Sequence, residues 1–329
     1  MVPALVLTAG LATRLRPLSF VRAKAALPVA GTPLVQRILR SLSSAGVRDV
    51  VLNLHHLPHT LTRLLGDGGG LGLRIRYSWE VPVLGSAGGP KRAIPLLQNP
   101  EPRNISNPES RIPNPESSFL IINGDTLTDL DLGALVLDHQ RSGALVTMAV
   151  VPNTEPEKYS GVRVAKDGTF AGWVARGSQE PSFHFIGVQV AEPAAFASAA
   201  VDVPSELRAL YLALIGTQPG AVRAFRADGI EFFDIGTPSD YLDTSLKLAA
   251  REGIDTAAHA EISETARVAR SVLWDDVVVE DGAMLRECVV TDGVRVPADT
   301  SWHGVTIRIA SGELAPGERK IDGLAVASL

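Results

Sequence analysis

The sequence predicts an α/β fold, a mostly parallel sheet flanked by helices, followed by a short C-terminal left-handed β-helix. Three observations carry this. Apolar runs of strand length at 4–7, 49–54 and 119–122 have the composition of buried parallel strands. Segments with apolar residues at helical spacing alternate with them, as in βαβ units. Beyond Gly253 the helical pattern stops, and small apolar residues recur at Val272, Val278, Ala283, Val289 and Val294, spaced alternately by six and five. The expected division is therefore 1–252 for the domain that carries the chemistry and 253–329 for the β-helix.

The whole chain bounds the function. Its 329 residues suffice for one large α/β domain with a smaller attachment. A formal net charge of −5 argues against a general nucleic-acid binder. The single cysteine, Cys288, rules out an intrachain disulfide. The opening MVPALVLTAG lacks the basic region of a signal peptide, and no run reaches the ~20 apolar residues that span a bilayer. A cytoplasmic protein without nucleic-acid or membrane partners is expected.

The stretch 5–33, LVLTAGLATRLRPLSFVRAKAALPVAGTP, organises the rest. A short strand leads into a turn with Gly10 between small neighbours, where backbone N–H groups can approach a ligand closely. Arg14 and Arg16 follow as the chain leaves that turn, and Lys24 comes later in the loop. Fixed cations at the carboxyl end of a first strand suit a polyanion, most simply a triphosphate. The spacing of Arg14, Arg16-Pro17, Lys24, Pro28-Val29 and Gly31-x-Pro33 resembles the signature GxGTRLRPLT…PKPLLPVxGKP of the sugar nucleotidyltransferases, the nucleoside-diphosphate-sugar pyrophosphorylases. Ala12 stands where that signature has its second glycine, and Ala23 and Ala25 replace the prolines around the lysine. No charged group that handles phosphate is lost, although alanine resists the positive φ that a glycine would adopt.

The remaining elements follow in order. Residues 33–45 have helical spacing with Pro at the start and Gly46 at the stop. His55, His56 and His59 follow a strand end without a carboxylate or cysteine at ligand spacing, so they read as loop polar surface. Gly66–Gly72 matches no phosphate-loop pattern and reads as a loop. Residues 73–79 alternate as a strand, and Gly85-Ser-Ala-Gly88-Gly begins a helix running through Leu97, resembling the family's LGTAGAL segment. From 99 to 118, Asn-Pro-Glu recurs three times in a low-complexity insertion with no core of its own. Asn123-Gly124-Asp125 then ends a strand, where an aspartate serves equally as a cation ligand or a helix N-cap. Strands are expected at 144–151 and in a hairpin around 166–168, a helix at 204–215, strands at 222–225 and 230–235, and a helix at 239–251.

The resemblance covers nearly residues 1–250 and implies a Rossmann-like, glycosyltransferase-A-like fold and a reaction of an NTP with a sugar 1-phosphate. It assigns catalysis to Arg14 and Lys24, and nucleotide binding to Ala9, Gly10, Thr13, Gly85, Gly88 and Asn123. It assigns sugar and phosphate binding to Gly161, Arg176 and Gly187, and Mg²⁺ to Asp125 and Asp234. Two departures touch the sugar pocket: Trp173-Val-Ala-Arg176-Gly replaces the usual Phe-x-Glu-Lys-Pro, and His184-Phe-Ile-Gly187 replaces Asn-Thr-Gly. In style the chain is closest to bacterial mannose-1-phosphate guanylyltransferases, which implies GTP and mannose 1-phosphate. An N-acetylmuramate or glucose 1-phosphate uridylyltransferase, and a non-catalytic sugar-nucleotide sensor or regulatory subunit, are the alternatives. The β-helix is expected to be structural or to form a homo-oligomer.

Overall fold

A computed structural model describes residues 1–98 and 118–329; the insertion read at 99–118 lies, except for Ser118, outside the described residues. The chain runs from β1 (Ala4–Leu7) through three single 3-10 turns and a minimal hairpin, β2 (Pro28–Val29) and β3 (Thr32–Pro33). Then come α1 (Leu34–Ser44), β4 (Asp49–Leu54), α2 (Pro58–Leu65), β5 (Arg74–Trp79) and α3 (Gly85–Gln98). After the insertion follow β6 (Phe119–Asn123), β7 (Thr126–Thr128), α4 (Leu132–Ser142), β8 (Val146–Pro152), β9 (Gly161–Val164) and β10 (Phe170–Val174). β11 (Phe183–Ala191), α5 (Leu207–Thr217), β12 (Val222–Arg226), β13 (Phe232–Asp234) and α6 (Pro238–Glu252) complete this part.

The fold divides into two compact units. Met1–Gly10, Ile38–Pro58 and Thr62–Phe232 form one; Leu11–Arg37, His59–Leu61 and Phe233–Leu329 form the other. In the first, the sheet order is β10-β9-β11-β6-β1-β4-β5, with β8 beside β11 and β12 beside β8. β1 is parallel to β4 and β6, β4 to β5, and β8 to β12, while β11 runs antiparallel to β6, β8 and β9. Leu5, Val51, Phe119 and Ile121 share a core with Ala87 and Ala93 of α3 and with Leu210 and Tyr211 of α5. The alternate residues Ala4, Val6, Val50, Leu52 and Leu120 are fully buried as well. Burial on both faces explains why these strands read as continuous apolar runs. Among the described residues no helix is long and apolar enough to cross a membrane.

Two helices escaped the sequence reading. α2 takes in His59, so of the three histidines expected in a loop this one is helical; α4 follows its N-cap Asp131, whose side chain accepts a hydrogen bond from the Ala134 N–H at 3.0 Å. α4 stops at Gly143 in the left-handed region.

In the second unit the tail coils regularly. β14 (Glu261–Ile262), β15 (Arg267–Ala269) and β16 (Val272–Leu273) form the first coil, and β17 (Val278–Val279), β18 (Met284–Arg286) and β19 (Val289–Val290) the second. β20 (Arg295–Val296), β21 (Ser301–His303) and β22 (Val305–Ile309) form the third. Each strand pairs in parallel with its equivalent 17 residues on, giving three stacked faces. β23 (Arg319–Ile321) and β24 (Leu324–Ser328) then extend the β16-β19-β22 face antiparallel.

The hexapeptide spacing therefore holds, over three coils rather than about four. Its phase needs correction. Ala283 and Val294 belong to the coil core, but Val272, Val278 and Val289 do not; Leu273, Val277, Val279 and Val290 take the inward places. A one-residue slip moves a strand's side chains to the other face.

Ala12 adopts φ 48°, opening the first 3-10 turn (Thr13–Leu15). The Leu15 N–H and the fully buried Ser19 hydroxyl both donate to its carbonyl at 3.0 Å. This left-handed conformation costs a non-glycine residue ~1–2 kcal/mol, part of which glycine would return in unfolded-chain entropy. Ala12→Gly is therefore expected to leave stability unchanged or raise it by up to about 1 kcal/mol in a denaturant titration. A fall of that size would show that the turn is not strained.

Candidate active site

The carboxyl end of the parallel strands is pinned by side chains that the sequence reading did not select. The Thr8 N–H donates to Asn53 Oδ1 at 2.6 Å, and the Thr8 hydroxyl to the Asn53 carbonyl at 2.5 Å. Asn53 Nδ2 in turn donates to Glu80 Oε1 at 2.7 Å, and the Leu84 N–H to Glu80 Oε2 at 2.8 Å. Glu80 is 1% exposed, so both oxygens of a buried carboxylate have donors. A Cβ at Gly89 would stand 2.6 Å from Glu80 Oε1, so α3 must present glycine there. One network thus joins the ends of β1, β4 and β5 and fixes the start of the loop with buried Ala9 and exposed Gly10. His55 hydrogen-bonds the Glu80 carbonyl through Nδ1 at 2.8 Å.

The start of α3 is closed by the chain before α5. The Ala87 and Gly88 N–H groups donate to the Ser205 carbonyl at 2.9 and 3.3 Å. Ser86 donates to Glu206 at 2.5 Å and accepts from the Leu207 N–H at 3.0 Å. Gly85 lies at φ +75°, and a Cβ there would stand 2.6 Å from Glu206 Oε1; at Gly88 it would stand 2.7 Å from the Val203 carbonyl. Both glycines therefore have a packing reason of their own.

At the end of β6, Gly124 runs against the backbone of β1, where a Cβ would meet the Leu7 carbonyl at 2.6 Å. Asp125 follows, half-buried. β11 is bulged here: it pairs with β8 at Phe183–Phe185 and again at Gln189–Ala191 with a register shift between, while on its other edge Phe183 pairs with β9 and Val188–Ala191 pair with β6. Gly187 sits in this break at φ +79°, with its Cβ position 2.6 Å from Asn123 Nδ2 and 2.9 Å from Thr126 Oγ1. The structure thus brings Asn123 and Gly187 together beside Asp125.

Further out, buried Gly161 begins β9, and the exposed Arg176 lies in the turn after β10. His184 packs against Tyr159, centroids 4.1 Å apart, and Phe232 at 5.4 Å, and those two rings also meet each other at 6.3 Å. Burial pushes its pKa down to about 4, with Lys158 adding to the fall against a hydrogen bond to the Ser160 backbone. A cation missed by the sequence reading also stands here. Arg208 lies over Trp173 at 4.7 Å and donates to the Ser160 hydroxyl at 3.3 Å, next to Gly161.

Thr13, Arg14, Lys24 and Asp234 fall in the second unit. Arg14 is exposed and Lys24 half-buried, each in its own 3-10 turn. The Arg14 guanidinium lies beside the end of β13, where a Cβ at Gly236 would be 3.6 Å from both of its terminal nitrogens. Arg14 and the Asp234-Ile-Gly236 strand end are therefore neighbours. The helix behind them, α6, begins with a capping box in which Thr237 and Asp240 exchange hydrogen bonds.

A mixed, helix-flanked sheet with a glycine-containing turn after β1 defines an α/β protein of Rossmann-like fold. The Nucleotidyl transferase family model matches residues 3–251, and the chain belongs to that family. Within it the chain is an enzyme, a sugar nucleotidyltransferase. A mannose-1-phosphate guanylyltransferase of Mycobacterium tuberculosis is 27% identical over 314 residues, covering 93% of this chain and 79% of that protein. An N-acetylmuramate alpha-1-phosphate uridylyltransferase of Neisseria meningitidis is 37% identical over 132 residues, 40% of this chain and 50% of that protein. In fold, the chain is similar to HddC from Yersinia pseudotuberculosis, with a TM-score of 0.62 at 21% identity, over 75% of this chain and all of that one.

Two measurements test this geometry. Asn53→Ala would orphan the Thr8 N–H and remove a donor from the buried Glu80 carboxylate, a loss expected to cost about 2–4 kcal/mol of stability; a denaturant midpoint equal to that of the parent would contradict the network. His184 is held below its unfolded pKa, so the stability it contributes is complete above about pH 6.5 and lost as pH falls toward 4. His184→Phe should flatten the fall in melting temperature across that window, and an unchanged slope would count against a neutral, buried ring.

Proposed function

We propose that the chain condenses GTP and mannose 1-phosphate to GDP-mannose and pyrophosphate. What supports these substrates is the coverage of the guanylyltransferase relatives: the M. tuberculosis protein and a probable mannose-1-phosphate guanylyltransferase of Oryza sativa each match 93% of this chain. A second reading, UTP with N-acetylmuramate 1-phosphate, draws on the higher identity of the shorter Neisseria match; glucose 1-phosphate belongs with it. The reading makes residues 1–252 the reacting domain of a cytoplasmic enzyme, with 253–329 a tail that favours self-association.

An oxygen of the sugar phosphate attacks the α-phosphorus, and the bond from that phosphorus to the β-phosphate oxygen breaks as pyrophosphate leaves. Such transfers depend on positioning and charge neutralisation rather than on covalent chemistry by the protein. Arg14 holds the charge on the α- and β-phosphates, and Lys24 draws the reacting phosphates together. Ala9, Gly10 and Thr13 cradle the phosphates, with Gly85, Gly88 and Asn123 toward the nucleoside. Gly161, Gly187 and Arg176 serve the sugar phosphate.

Asp125 and Asp234 are assigned to Mg²⁺. Each is a half-buried aspartate at or just past a strand end, and a carboxylate oxygen is the ligand type that Mg²⁺ takes when phosphates and water complete its shell. Among the described residues no group of three or more His, Cys, Asp or Glu forms a cage for a metal held by protein alone. Magnesium when bound would neutralise phosphate charge.

Pyrophosphate release, measured for GTP, ATP, UTP and dTTP against mannose, glucose and N-acetylated sugar 1-phosphates, should peak for GTP with mannose 1-phosphate. A maximum with UTP would select the second reading, and a blank matrix alongside tight nucleotide binding would overturn both. Lys24→Ala should lower kcat on the order of 100-fold or more; an unimpaired variant would remove Lys24 from its role.

A further inference from the structure

The signature loop is held by the tail, through Arg22. Residues 11–37 belong to the same compact unit as α6 and the coils. Arg22 lies two residues before Lys24. Its Nε and one terminal nitrogen grip both oxygens of Asp292 at 2.8 and 2.6 Å, and that terminal nitrogen also reaches Asp275 Oδ2 at 2.6 Å. Its guanidinium lies over the Trp274 ring at 5.3 Å. Asp275 follows β16 and Asp292 follows β19, so the two hold equivalent places in successive coils.

Carboxylates stacked one coil apart repel each other unless a cation lies between them, and equivalent residues of neighbouring strands stand about 5 Å apart. A guanidinium has the donors and the planar width to serve both; an ammonium is a point charge. The same loop is held at two further places. The Phe20 ring has Arg16 at 4.9 Å and Arg308 at 5.2 Å, and Arg308 is itself fixed by a buried pair with Glu318 at 2.8 and 2.7 Å. Tyr241 of α6 donates to the Pro28 carbonyl and accepts from Trp274 Nε1 at 2.8 Å.

We infer that Arg22 is a positioning residue for nucleotidyl transfer, and that the coiled tail acts in the reaction by holding the Lys24 segment through the Asp275–Asp292 rungs. This rests on the proposed role of Lys24. A loop that must place a cation on a transition state is sensitive to shifts well below 1 Å, so a loosened rung should act on kcat before it acts on nucleotide binding.

The test uses the full chain. Arg22→Lys keeps the charge but cannot span both carboxylates, and Asp275→Asn/Asp292→Asn keeps the arginine but removes its seat. Each should lower kcat about ten-fold or more while changing the KM for the NTP less than about two-fold, and the three substitutions combined should lower kcat no further than either set alone. Asp275→Asn alone, which retains the bidentate grip on Asp292, supplies a folded intermediate with a smaller fall if the others unfold. Parent-like kcat in these variants, additive effects, or losses that follow only the folded fraction in thermal melts would overturn the inference while Lys24→Ala remains impaired. An unimpaired Lys24→Ala would instead overturn the site assignment on which the inference rests.

Discussion

A loop that presents cations to phosphates cannot be held by its own secondary structure. Between β1 and α1 the chain has only single 3-10 turns and a hairpin of two-residue strands, so few of its backbone groups are locked by repeating hydrogen bonds. The entropy of ordering it must be met elsewhere, and before substrates arrive if the cations are to act as a preorganised set. The structure meets this at separate points along the loop. Asn53 and Glu80 fix its entry at Thr8, and Ser19 locks the turn at Ala12. Arg22, Phe20 and Pro28 are gripped in turn by the stacked aspartates, by Arg308 of β22 and by Tyr241 of α6.

Where the sequence was legible, one physical rule dominated locally. The inner strands are apolar throughout because both faces are covered, and they were read nearly to the residue. α4 was not, because its pattern is scrambled: Leu137 is 45% exposed while His139 is 2% exposed. α2 is eight residues long, too short to display a period. In the tail, apolar residues stand side by side at Val272-Leu273, Val277-Val278-Val279 and Val289-Val290. Spacing fixes the length of a coil there, but only closure of the coil decides which of two adjacent side chains turns inward.

The candidate site divides along the same line. Its charged groups were legible because phosphate chemistry constrains residue type and spacing. The groups that hold them were not, because their partners are distant in sequence: Asp292 lies 270 residues beyond Arg22, and Glu80 27 beyond Asn53. A lone asparagine in an apolar run and a glutamate ahead of a glycine-rich helix start were the only local signs. At His184 the sequence showed a departure without its meaning, which is a ring clustered with two others and held by burial toward its neutral form.

The 17-residue coil has a consequence for how such a tail can change length. Because Arg22 reads equivalent positions on adjacent coils, the segment from Asp275 to Asp292 works as a ruler with a single graduation. Insertions or deletions inside it shift one carboxylate out of reach or put Asp292 on a different face. Lengthening beyond β22 leaves the graduation untouched. Variation in tail length is therefore expected to accumulate after the third coil, with the interval between the two aspartates held constant by the loop it supports.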